Sequence, residues 1–118
     1  MTERRLLEAF FRWPITESDD DLWASEVVDE AVWKRPKEAW VIFLDLLDYA
    51  PDEEALAFLA AGPLEDLLVH HGDLMFDVIA TESRNNSKLR MALDNVWISR
   101  APESIQQRFH ALRELPEP

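Results

Sequence analysis

The chain has 118 residues, 47% of them hydrophobic, with five Trp, six Phe, no Cys and a formal net charge of −12. That length holds one hydrophobic core rather than two, and the missing cysteines exclude a disulfide framework and thiolate zinc sites. The acidity argues against direct nucleic-acid binding, where affinity rests on cations meeting phosphates.

No apolar run reaches the roughly 20 residues that a membrane-spanning helix needs. Glu3 and Glu8 interrupt the short apolar patch of the N-terminus and no small-residue cleavage site follows it, so a cytoplasmic location is expected. Two glycines and the lack of any alternating run of strand formers predict an all-α fold. The expectation is one domain over 1–118, a compact bundle of about seven or eight short antiparallel helices, compatible with stacked helical hairpins but with no visible repeat.

In chain order, Thr2 to Trp13 reads as a helix with Leu6, Leu7, Phe10 and Phe11 on one side, ended by Pro14. Ser18 or Asp19 can cap a second helix to about Lys34, with Trp23, Ala24, Val27, Val28 and Ala31 inward. On another side of that helix Leu22, Glu26, Asp29 and Trp33 fall in line, with Glu30 alongside, so two large apolar residues stand among acids. They are either covered by neighbouring segments or form a contact surface, an aromatic anchor with a charged rim.

Pro36 opens a helix to about Ala50, with Trp40, Phe43, Leu44 and Leu47 on one face and Ile42, Leu46 and Tyr49 on another. Only the strip through Glu38, Val41, Asp45 and Asp48 looks solvated, which predicts a central position. Pro51 stops it, and Asp52, Glu53 and Glu54 give the next helix an acidic first turn that suits the helix dipole.

The segment Leu56 to Gly72 reads as the organising joint. Gly62 ends one helix and Pro63 begins the next, whose inward face is Leu64, Leu67, Leu68 and His71, and Gly72 closes it in the left-handed conformation. A helix from Asp73 to about Arg84 follows, with Leu74, Met75, Val78 and Ile79 inward and Phe76 off the stripe. Asn85-Asn86 breaks it, Ser87 caps a helix carrying Leu89, Ala92, Leu93, Val96 and Trp97, and Pro102 starts a last one carrying Ile105, Phe109 and Leu112. The tail from Pro116 is expected to fray.

Trp40, the run LAAGPLEDLL at 59–68, His71-Gly72, LRMAL at 89–93 and Val96-Trp97 together resemble a small bacterial family, a domain of unknown function. The resemblance covers residues 36–98 and leaves 1–35 and 99–118 as helical flanks. It implies a structural motif of Gly62, Pro63, Glu65, Asp66, His71, Gly72 and Trp97, brings no activity or cofactor with it, and leaves partner specificity to the flanks.

The residues supply no catalytic group. His70 and His71 diverge by about 100° around a helix axis and make poor joint metal ligands. His71 fits a core histidine bonded to a backbone carbonyl, and His70 a surface pair with Asp66. Glu65 and Asp66 are helix-start neighbours without the facing geometry of an acid–base pair, and no nucleophile elbow or Gly-rich loop is present.

Charge is more informative. No Lys or Arg stands between Lys37 and Arg84 while acids recur from Glu38 to Glu82, and a second acidic cluster runs from Glu17 to Glu30. The sequence therefore predicts an acidic protein-binding module for a basic protein partner, on the pattern of an immunity protein or antitoxin, without metal, cofactor or membrane contact. Its expected contact residues are Leu22, Glu26, Asp29, Glu30 and Trp33. A non-catalytic scaffold or regulatory domain is the alternative; a DNA mimic or a metal-dependent hydrolase fits less well, and a homodimer is the other assembly the surface allows.

Overall fold

Ser18, Asp52 and Asn86 set the phase of the chain, because each side-chain oxygen accepts a first-turn backbone N–H, from Asp20, Ala55 and Leu89 respectively. The computed structural model describes residues 2–114. Seven α-helices run α1 Arg4–Thr16, α2 Asp19–Lys34, α3 Pro36–Tyr49, α4 Glu53–Leu59, α5 Glu65–Ser83, α6 Ser87–Leu93 and α7 Glu103–Glu114, with a π turn at Ala60–Leu64 and a 3-10 turn at Ile98–Arg100. There is no strand among the described residues, and none of these helices is long and apolar enough to cross a membrane. The expected fraying from Pro116 lies outside the described residues.

The Gly62-Pro63 joint is not a break. α4 passes through the π turn into α5 without a break, so with α5 counted through its kink at His71 the described residues make six helical rods, close to the expected seven or eight. Glu65 donates its N–H to the Ala60 carbonyl five residues back, and this wider turn absorbs a proline that lacks an N–H and would otherwise press on the preceding turn. Gly62 has no positive φ, and a Cβ there would meet nothing within 4 Å. Gly72 is likewise no left-handed cap: it is buried inside α5, where a Cβ would lie 2.7 Å from Cγ1 of Ile105 on α7. Its role is to let two helices approach closely.

α1 also runs past its expected stop. Pro14 sits in its last turn, and the helix ends three residues later at Glu17, whose φ of 51° is the one positive value among the described residues. Asn86, not Ser87, caps α6, and α6 ends at Leu93, so Val96 and Trp97 belong to the following connection.

One apolar cluster fills the centre, with Phe43, Leu46, Leu59, Leu64, Leu67 and Leu68 fully buried. α3 supplies Trp40 and Phe43, stacked 5.2 Å apart, and α1 lays Phe11 against Tyr49 at 6.1 Å. α1, α2 and α3 pack in succession, whereas α5 touches α2, α3, α6 and α7 and is the element the others cover.

The inward stripes differ from expectation on two helices. On α2 the close contact with α1 and α3 is made through Ala24, Val28, Ala31 and Val32, which leaves Val27 at the edge and Trp23 36% exposed beneath the Arg5 guanidinium. On α5 the backbone kinks at His71 (φ −132°, ψ 28°), and the change of phase turns Phe76 inward and leaves Leu74 and Val78 exposed.

Candidate partner-binding surface

α2 and α5 lie side by side, and each offers two residues one turn apart: Asp29 and Trp33 on α2, Asp66 and His70 on α5. The Trp33 ring lies over the His70 imidazole with centroids 4.1 Å apart and planes tilted by 36°, yet Trp33 remains 56% exposed. Leu22 is half-buried, while Glu26, Asp29 and Glu30 are exposed. The α2 patch is therefore neither core nor fully free: its indole is held from one side and open to solvent on the rest.

The two aspartates are electrostatically uneasy. Burial raises the pKa of Asp29. Burial also raises that of Asp66; His70 and Arg100 pull it down, and the charges of Asp29 and Glu65 push it further up. Neither aspartate makes an ion pair among the described residues. The expected Asp66–His70 surface pair is replaced by the Trp33–His70 contact.

Glu65 is a different case from its neighbour. It is buried at the start of α5, where its carboxylate accepts the Trp97 backbone N–H at 2.8 Å and the Arg100 guanidinium at 3.0 Å. That pair of bonds ties the segment before α7 to the start of α5 and holds it in a conformation that turns the Trp97 ring outward, 74% exposed. Trp97 is thus a surface residue and not part of a helical stripe. Sequence reasoning missed Arg100 and the role of Glu65, since bonds that span 32 and 35 residues leave no periodic trace.

Several other acids have found partners across the fold. Arg12 holds the buried Asp21 at 2.9 Å with help from the Thr16 hydroxyl, Arg35 lies near Glu30 and Glu38, Arg108 pairs with Asp77 and Arg113 with Asp94. Lys88 caps the end of α3, donating to the carbonyls of Leu47, Asp48 and Ala50. The two acidic clusters expected from the sequence are thus compensated in part, and Glu26 and Asp29 on α2 and Asp66 on α5 are among the acids left without counter-ions within the described residues.

His71 does not make the expected backbone bond through Nε2, which is buried without a hydrogen-bond partner. The kink at His71 itself moves the imidazole off the regular helical phase. No three His, Asp, Glu or Cys side chains converge on a point that could hold a metal among the described residues.

No curated protein and no solved structure matches the chain. A family model does, and its match extends well beyond the expected 36–98 to take in all of α2, so Trp33 and Asp29 lie within the family's span rather than in a flank. By that match, over residues 12–116, the chain belongs to the family of unknown function DUF6869.

Proposed function

We propose that the protein acts by binding a basic protein partner on the face shared by α2 and α5. The observation that carries this reading is the exposed Trp33 ring, held on His70 beside two carboxylates, the exposed Asp29 and the half-buried Asp66, that lack a counter-ion. Asp66 has already lost part of its hydration, so a Lys or Arg brought by a partner supplies the missing charge there at a reduced desolvation cost. The indole supplies the apolar contact and a cation–π surface.

Small size, strong acidity and a surface of this kind suit a neutraliser that occludes a cationic protein, as an immunity protein or antitoxin does. A scaffold or regulatory domain would use the same face with less dependence on charge. The two readings separate in kinetics. The protein that co-purifies at low salt is identified and its association measured against ionic strength; double reversal of Glu26 and Asp29 to Lys should slow association by about tenfold or more, and Trp33→Ala should mainly speed dissociation. An affinity indifferent to salt would remove the electrostatic neutraliser, and an unaltered dissociation rate in Trp33→Ala would remove this face.

A further inference from the structure

A second surface, built by α1, α4 and α6, carries two hollows that adjoin at Glu54. The first, of about 220 Å³, is walled by Phe11, Pro14 and Ile15 of α1 and Phe58 of α4, with Asp52 and Glu54 beside them. The second, of about 380 Å³, has Leu56, Ala57 and Met91 as its apolar lining and the carboxylates of Glu53, Glu54 and Asp94 around it. Ile15 is 84% exposed at the edge of the first hollow, and Met91 is also exposed in the second. Neither hollow is lined by a Lys or Arg. Asp52 spends its side chain capping α4 and Asp94 is paired with Arg113, which leaves Glu53 and Glu54 as the lining carboxylates without a partner among the described residues.

We infer that these adjoining hollows dock a segment of a basic protein in which a bulky apolar side chain stands next to a Lys or Arg. The apolar side chain enters between Phe11, Ile15 and Phe58. The cationic neighbour lays its alkyl stem along Leu56, Ala57 and Met91 and brings its head group to Glu53 and Glu54, an arrangement that suits a long side chain with an apolar stem and a charged end. Charge decides the occupant. A second copy of this chain, with a net charge of −12, would bring like charge to an acid-lined surface, whereas a basic segment supplies what the hollows lack. This surface shares no residue with the Trp33 face and stands independently of it.

The test is a titration of the isotope-labelled full chain with a blocked pentapeptide, one Phe flanked by Lys residues, followed by amide chemical shifts. The expected result is a set of shifts concentrated at Ala55, Phe58 and Met91. Affinity should fall about tenfold for Glu54→Lys, and about as much when the Phe of the peptide is replaced by Ala. Ile15→Ser, a change at an exposed residue that should leave the melting temperature unaltered, should weaken binding as well, while Trp33→Ala should leave it unchanged. Shifts centred on Trp33 and His70, or equal binding of the Ala peptide, would overturn the assignment in favour of the other face or of unspecific charge attraction. The same shifts appearing on raising protein concentration alone would overturn the choice of occupant in favour of a second copy.

Discussion

The carboxylate of Glu65 accepts the backbone N–H of Trp97 at 2.8 Å, so one buried acid at the start of α5 fixes a segment 32 residues further along the chain. Glu65→Ala should therefore leave an N–H without its partner and release Arg100. The expected cost is about 2–4 kcal/mol. Arg100→Ala should cost less than about 1 kcal/mol, because that guanidinium is more than half exposed. Urea denaturation of the two variants checks the asymmetry, and equal losses would mean that the ion pair, not the buried carboxylate, holds the segment.

The two glycines should respond with opposite signs. Gly72→Ala pushes a methyl group against Ile105 and should cost about 1–3 kcal/mol as that side chain and α7 shift. Gly62→Ala meets nothing, keeps a helical backbone and should stabilise by about 0.5–1 kcal/mol. Melting temperatures decide both, and destabilisation by Gly62→Ala would mean that the π turn needs the bare backbone.

Stability against pH should show two opposed contributions. Asp21 and Asp45 have lowered pKa values, the first through the Arg12 guanidinium and the second through Thr2. Their stabilisation is present above the ordinary Asp value and is lost as pH falls through the lowered one. Asp29 and Asp66 have raised values, so between the ordinary and the raised pKa the folded chain binds more protons than the unfolded, and stability falls as pH rises through that window. Asp66→Asn should then stabilise at neutral pH, by a few tenths to about 1 kcal/mol given its partial exposure, with the gain fading in acid. Asp21→Asn should do the reverse, and paired melting curves across the acid range separate the two.

Binding of a basic partner on the α2/α5 face should weaken as pH falls through the raised range of Asp29 and Asp66, since protonation removes the charge that the partner neutralises. A calorimetric titration in two buffers of different ionisation enthalpy should register proton release on binding in that range. The release should shrink in Asp66→Asn, whereas a pH-independent affinity would place the partner's charge elsewhere.

What could be read from the sequence was whatever is local. The caps at Ser18 and Asp52, the prolines opening α3 and preceding α7, the solvated strip of α3 and the buried Ile105, Phe109 and Leu112 of α7 all follow from side chains acting within a turn or two. The differences share a cause: a glycine or proline reads as a stop where tertiary contact decides its use. Gly72 serves Ile105, and Pro63 is absorbed by a change of helix type. The kink at His71 then resets the phase of the second half of α5, which exposes Leu74 and Val78, while Trp97 lies beyond the end of α6 in a segment held by Glu65. That Trp33 stands off the main stripe of α2 is legible in the sequence, which leaves cover by a neighbour and exposure both open, but its contact with His70 is not, because pairing between helices is written in neither helix alone.

The π turn acts as an indexing step in a helical rod. A turn closed over five residues carries one more residue than an α-turn, and one residue corresponds to about 100° of rotation. The azimuth at which α5 leaves the turn is therefore offset from that of α4, and this offset decides which residues of α5 face α2 and which face the Trp97 segment. Removing a single residue between Ala60 and Leu64 would let the rod close into regular α-helix with little loss of local structure. It would also rotate Glu65, Asp66 and His70 together, unhooking Trp97 on one side and Trp33 on the other. The proposed binding face is in this sense a setting of the rod's rotation, stored in one extra residue.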